Sequence, residues 1–289
     1  DTPAFVFNGG LRGVAETISH EAGHALGLNH DGDPTNEYYR GHGAGGTSWS
    51  PIMGASFSTA LATWSLGEYP GANNQEDDLA IITSDNGFGY RPDDHGNVAS
   101  RATPLIPNAI GGNSLVGSGV IETRSDVDAF SFLAGSGALT LDIDPFYLSP
   151  NLDIVATLSD SNGTVIATSD IAGQLNASFA TDVTQGEYFV TVDGVGRAAT
   201  AGDPGYSDYG SLGAYSITAS FAPPENAGPT LVSINPNDGA RFTVDSDPAV
   251  NVGLDNVLSI APKELTFRFA ARSGIDLATL DGIRISRAG

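Results

Sequence analysis

The run His20-Glu21-Ala22-Gly23-His24-Ala25-Leu26-Gly27-Leu28-Asn29-His30 constrains this chain more than any other feature. It holds three of the five histidines. Histidines four apart on a helix leave the same face one turn apart, and neutral imidazoles so placed can share one metal ion. A helix is expected over residues 14–26. Val14, Ile18, Ala22, Ala25 and Leu26 cluster on one side of a 3.6-residue wheel, with His20 and His24 nearly opposite. One face would be buried and the other offered to a cleft. Gly27 would end the helix, because glycine turns through positive φ without strain. That turn would bring His30 round as a third ligand. Three protein ligands leave a fourth position open, the arrangement of catalytic rather than structural zinc. Glu21, beside the first ligand, would face the water in that position as a general base. The competing readings are an amphipathic helix with surface histidines and a metal site without catalysis.

A second segment, Ser50-Pro51-Ile52-Met53-Gly54, carries the only methionine. Alone it reads as a core methionine in a loop. With the histidine motif it resembles the metzincin zinc metallopeptidases, in which a methionine turns beneath the zinc. His30-Asp31 resembles the reprolysin (adamalysin-like) branch of that family. Trp64-Ser65-Leu66-Gly67-Glu68-Tyr69 and Ala72-Asn73-Asn74-Gln75-Glu76-Asp77-Asp78-Leu79-Ala80-Ile81-Ile82 resemble the end of bacterial reprolysin-like catalytic domains. Astacins and serralysins carry a tyrosine two residues after the methionine. Ala55 stands there, so no tyrosine ligand is expected. The resemblance implies zinc on His20, His24 and His30, and peptide hydrolysis by a zinc-bound water assisted by Glu21. It implies Gly27, Asp31 and Met53 as structural supports of the site, and a specificity pocket walled by residues 55–57. It also implies a twisted sheet ahead of the active-site helix. Ala4-Phe5-Val6-Phe7 would be the last strand of that sheet, and the chain reads as a piece of a longer secreted protein whose signal peptide lies outside it. Asn73 or Asn74 is expected to cap a helix whose acidic first turn, Glu76, Asp77 and Asp78, suits the helix dipole. That reading is set against a second metal site. His42 and His95 read as surface residues rather than ligands.

Acidic residues outnumber basic ones 34 to 12, giving a formal charge of −22 over 289 residues. Such a chain repels nucleic acid and anionic membranes. No apolar run approaches a membrane span. Charged residues make up only 16% while Gly, Ser, Thr, Asn and Asp abound, which favours a β-rich extracellular protein of short strands and tight turns. Absence of cysteine removes disulfides as staples. Calcium would suit the acidic loops.

The expected fold class is multidomain: a partial α/β (α+β) metzincin catalytic domain followed by all-β sandwich domains. Residues 1–98 would hold the C-terminal part of the catalytic domain and 99–114 a linker. Residues 115–222 read as a sandwich, since Leu139, Leu141 and Ile143, then Leu152, Ile154, Ala156 and Leu158, then Tyr188, Val190 and Val192 alternate with other residues. Asn162-Gly163 signals a two-residue hairpin. The pieces Ser125-Asp126-Val127-Asp128-Ala129-Phe130-Ser131-Phe132, Asn151-Leu152-Asp153, Gly186-Glu187-Tyr188-Phe189-Val190-Thr191-Val192 and Tyr206-Ser207-Asp208-Tyr209-Gly210-Ser211-Leu212-Gly213-Ala214-Tyr215 resemble the bacterial pre-peptidase C-terminal (PPC) domain. Relatives of that domain bind matrix protein and calcium, which makes Asp126 and Asp128 calcium candidates. The alternative is that both carboxylates cap the strand entry. A Pro-rich linker, 223–229, precedes an immunoglobulin-like segment, 230–289, expected to be truncated. Two functions follow as expectations. One is a secreted zinc endopeptidase whose sandwich modules recognise substrate. The other is a non-catalytic extracellular protein that binds matrix or polysaccharide and keeps a remnant zinc site.

Overall fold

The computed structural model describes residues 4–108 and 114–224 with their side chains, and the backbone of 230–236 and 265–270. Two five-stranded sheets dominate it. The strands are β3 (Thr103–Pro104), β4 (Ile106–Pro107), β5 (Ser114–Ile121), β6 (Val127–Ala134), β7 (Gly137–Pro145), β8 (Ile154–Asp160), β9 (Val165–Ser169), β10 (Ala177–Val183), β11 (Gly186–Gly194) and β12 (Gly213–Phe221). One sheet runs in the order β10-β7-β12-β5-β4 and the other β3-β6-β11-β8-β9. All pairings are antiparallel except β3 with β6.

Alternation builds the core. Leu139, Leu141 and Ile143 of β7 have no exposed surface, while Thr140, Asp142 and Asp144 between them face solvent. Tyr215, Ile217 and Ala219 of β12 and Tyr188, Val190 and Val192 of β11 are buried on the same alternation, with half-buried residues between them in β11. Each fully buried leucine or isoleucine stabilises by about 1.5–3 kcal/mol relative to exposure. Within residues 115–222, the sequence pattern did not reveal β5 and β10. Glycine interrupts β5 where neighbours approach. A Cβ on Gly117 would lie 2.6 Å from Leu105 Cδ2, and one on Gly119 would meet the Tyr215 hydroxyl and Asp128.

Several expectations need correction. The span 99–114, expected to be a linker, contributes β3 and β4, and Leu105 between them is buried in the sandwich core. Asn162-Gly163 does join two strands, but through residues 161–164, since the Asp160 carboxylate accepts from the N–H groups of Asn162 and Thr164. Such an Asx-type turn needs more room than a two-residue hairpin. Ala4-Phe5-Val6-Phe7 forms no strand, and Phe5 and Phe7 are 71% and 89% exposed.

The first segment holds α1 (Leu11–Ala25), β1 (Trp49–Pro51) paired in parallel with β2 (Leu61–Thr63), and the short α2 (Asp78–Ala80) with one wide turn, Ile81–Asp85, behind it. No larger sheet accompanies them among the described residues, so the expected α/β core is not seen there. Helix α1 does not bury the predicted apolar face. Ile18 is 54% exposed, Ala22 and Ala25 are exposed, and the helix seats itself on Gly23 and Glu16 instead. Glu16 accepts from Arg12, Ser56 and Ser149. Asp77, not Asn73 or Asn74, caps α2 by accepting from Ala80 N. The asparagines serve loops: Asn73 accepts from Gly32 N, and Asn74 accepts from Glu76 N.

The first segment and the sandwich share a small core in which Trp49, Leu61 and Tyr69 meet Leu175 and Tyr206. Tyr206 donates to Asp153 at 2.6 Å, and Tyr209 donates to Asp77 at 2.7 Å. The backbone of β13 (Thr230–Pro236) and β14 (Leu265–Ala270) pairs antiparallel. The remainder of the expected immunoglobulin-like segment, with Ile283-Arg284-Ile285, lies outside the described residues.

Candidate metal centre

Helix α1 presents His20 and His24 on one face, and Gly27 turns the chain out of it at φ +99°. The turn carries His30 back, and ligand-capable atoms of His20, His24 and His30 lie within 4.8 Å of one another. Their rings sit 4.6–5.4 Å apart between centroids.

The second nitrogen of each ring decides what this cluster can do. His20 Nδ1 faces the Ile52 carbonyl at 2.8 Å, His24 Nδ1 the Leu28 carbonyl at 2.8 Å, and His30 Nδ1 the Glu37 carboxylate at 3.0 Å. Those oxygens can only accept, so each Nδ1 must carry the proton. In a neutral imidazole, Nε2 is then a bare lone pair. His24 Nε2 and His30 Nε2 nevertheless stand 2.9 Å apart. Two bare acceptors at that separation repel unless a proton or a metal ion lies between them. Burial, with the neighbouring imidazoles, also pushes the His20 pKa down and favours the neutral, ligating form. Ligand imidazoles oriented by carbonyls and a carboxylate are the usual outer shell of a zinc site. The donor set therefore fits Zn²⁺.

Met53 lies fully buried beneath this helix. A Cβ on Gly23 would collide with its sulfur, so helix and turn touch directly. Asp31 ties the pieces together through its backbone. Its N–H donates to the Met53 carbonyl at 2.9 Å, and its carbonyl accepts from Tyr39 N at 2.7 Å. Its carboxyl group is buried, with Oδ2 unpartnered, and burial beside Glu76 raises its pKa to about 7.

A cleft of about 580 Å³ opens at the cluster, lined by His20, Glu21, Tyr38, Arg40, Ala55 and Phe57 among others. Glu21 thus faces the cleft beside His20 without being one of the clustered ligands. Two participants escaped the sequence reading. Glu37 orients His30, and Tyr38 lays its ring 4.3 Å from the His30 ring and 6.0 Å from that of His20. They sit in a Gly-rich loop with no fixed spacing to the motif, so nothing in the sequence marked them. His42 and His95 lie apart from the cluster but are not plain surface residues. His42 bridges the Tyr39 hydroxyl and the Gly205 carbonyl, and His95 lies between Thr103 and the Ser118 carbonyl.

A second group of ligand-capable atoms, from Asp93, Asp126 and Asp128, lies at the β5–β6 corner, also within 4.8 Å of one another. Asp126 Oδ2 accepts from Glu122 N at 3.0 Å, as a strand-entry cap would. Asp128 Oδ2 accepts from the Tyr215 hydroxyl at 2.5 Å. Capping leaves much unexplained. Asp126 Oδ1, Asp128 Oδ1 and both carboxylate oxygens of Glu122 are buried without partners. Burial raises Asp128 and Glu122 to about 7, and the nearby carboxylates add to the rise in both. Buried like charges of this kind are held by protons or by a cation.

No family model matches the chain, and no curated protein matches it. Among solved structures, the chain is similar to the pre-peptidase C-terminal domain of collagenase from Bacillus anthracis, at 13% identity and TM-score 0.31, over 43% of this chain and 100% of that one. It is similar to PliG of Aeromonas hydrophila, a periplasmic inhibitor of g-type lysozyme, at 16% identity and TM-score 0.28, over 41% and 96%. It is also similar to the Yersinia pseudotuberculosis-derived mitogen, at 15% identity and TM-score 0.25, over 42% and 92%.

Proposed function

We propose that the chain is part of a secreted zinc endopeptidase of the reprolysin-like metzincin type, carrying a PPC-like sandwich as a recognition module. The observation that carries this reading is the orientation of the three imidazoles. Every Nδ1 is committed to an acceptor, the Nε2 atoms of His24 and His30 stand 2.9 Å apart, and ligand-capable atoms of all three rings lie within 4.8 Å of one another. Bound zinc would supply Lewis acidity toward a scissile carbonyl and make water more acidic. His20, His24 and His30 would hold it and leave one position open. Glu21 would take the proton of the attacking water and return it to the leaving amine. Met53 and Asp31 would keep the ligand helix and the turn in register, and Gly27 would let His30 reach the site.

A second reading is a non-catalytic extracellular protein that binds matrix or polysaccharide through its sandwich, with a remnant zinc site. What favours it is that the described strands are concentrated in the sandwich, with only β1 and β2 in the segment that holds the histidines. One experiment separates the two. Wild type and Glu21→Ala are loaded with zinc and incubated with casein. The peptidase reading expects one zinc in both and hydrolysis only in wild type. Zinc without hydrolysis in either supports the binding protein.

We also propose that Asp93, Asp126 and Asp128, with Glu122 beside them, hold a calcium ion that stabilises the sandwich. Oxygen-only donors suit that ion, and the orphaned buried oxygens supply the motive. Titrating the chelated protein with calcium and following its melting temperature tests this.

A further inference from the structure

The cleft beside the histidines carries a charge that its own fold does not use. Of the six arginines with described side chains, Arg12, Arg124 and Arg197 pair with Glu16, Asp208 and Asp203, while Arg40, Arg91 and Arg101 have no carboxylate partner among the described residues. Arg40 makes no ion pair or side-chain hydrogen bond among the described residues, and it is exposed. It lines the cleft together with His20 and Glu21, and among the described residues it is the one lysine or arginine that does so.

The backbone fixes where Arg40 starts. Ala55 N donates to the Tyr39 carbonyl at 2.9 Å, and Tyr39 N donates to the Asp31 carbonyl at 2.7 Å. A Cβ on Gly54 would lie 2.6 Å from the Tyr39 carbonyl, so the chain leading into Arg40 lies flat on the methionine turn. The walls beside it, Ala55 and the half-exposed Phe57, offer no charge. Of the two acids in the cleft, Glu37 is engaged with His30. Glu21 belongs to the histidine end of the cleft. A planar guanidinium with free donors, next to an apolar wall, is suited to a carboxylate by paired charge-assisted hydrogen bonds.

We infer that Arg40 makes this cleft select an acidic side chain, Asp or Glu, next to the scissile bond of its peptide substrate. The inference rests on the peptidase reading for its substrate. The experiment uses the zinc-loaded chain and quenched peptides identical except for Asp, Glu, Gln, Leu or Lys on either side of one cleavable bond. The same peptides are titrated by calorimetry into zinc-loaded Glu21→Gln, which gives affinity without turnover. At one of the two positions, Asp and Glu should exceed Lys at least tenfold in kcat/KM and in affinity. Arg40→Glu should reverse that order, and Arg40→Lys should keep it in weaker form. Equal handling of Glu, Gln and Lys, or a ranking unchanged by Arg40→Glu, overturns the inference. If casein is still cut, the peptidase reading survives that result. If nothing is cut, that reading fails, and the calorimetric ranking alone decides the role of Arg40.

Discussion

Asp78 offers a quantitative test of how this acidic chain tolerates its buried carboxyl groups. Its side chain has no exposed surface, Oδ2 accepts from Ser65 N at 2.8 Å, and Oδ1 has no partner. Burial raises its pKa to about 8, with Asp31, Glu76 and Asp77 adding to the rise against the Ser65 bond. The sign follows from proton counting. Between the ordinary carboxyl value and about 8 the folded state holds a proton that the unfolded chain has released. Stability therefore falls as pH rises through that window and levels off above it. At about 1.36 kcal/mol per pH unit, the loss from this group between pH 5 and pH 8 has an upper bound of about 4 kcal/mol. Asp78→Asn keeps an acceptor for Ser65 N and cannot ionise. Its amide leaves a pH-independent cost of about 1–3 kcal/mol if it finds no acceptor. The slope against pH is thus the test, not the level. Urea unfolding of both proteins in chelator at pH 5, 6, 7 and 8 should show the variant gaining on wild type by at least about 2 kcal/mol across the range. A difference that stays flat would refute the reasoning and leave Asp78 ionised and solvated.

Four further outcomes are expected. Glu37→Gln should weaken zinc binding about 10–100-fold in competition with a chelator, because it removes the charge that orients His30. Met53→Ala should cost about 2–5 kcal/mol in urea unfolding, since the side chain it truncates is fully buried under α1. Calcium should raise the melting temperature at pH 8, and Glu122→Gln with Asp128→Asn should remove most of that rise; an unchanged response would point to protons as the counter-charge. A fragment of residues 99–224 should melt cooperatively and above one of residues 115–222, because only the longer piece contains β3, β4 and the buried Leu105; equal melting would show that the edge strands add nothing.

Features with a fixed period or spacing were legible in the sequence. The alternation of Leu139, Leu141 and Ile143 named a strand with its inner face, and Gly27 marked the end of the helix at a positive φ. The convergence of His20, His24 and His30 followed from the same spacing. What failed was whatever depends on a partner distant in sequence. The apolar stripe of α1 predicted a buried face, yet Ile18 is exposed, because periodicity says which residues share a side and not what covers them. Thr103-Pro104 and Ile106-Pro107 read as linker because Pro-rich runs usually are, but proline is tolerated on edge strands, where these lie. β5 was hidden by the glycines that let Leu105, Tyr215 and Asp128 approach it. Glu37, Tyr38 and Arg40 were illegible for the same reason. Their place at the cleft is set by backbone bonds between residues 39 and 55 and between 31 and 53, which leave no pattern in the chain itself.

The most direct test of the central claim is X-ray absorption at the zinc edge of the full chain after zinc reconstitution and removal of excess metal. One zinc per chain is expected, with three imidazole nitrogens and one light-atom ligand at about 2.0–2.1 Å. His30→Ala should lose one imidazole from that shell. No retained zinc, or a shell unchanged by His30→Ala, would contradict that claim.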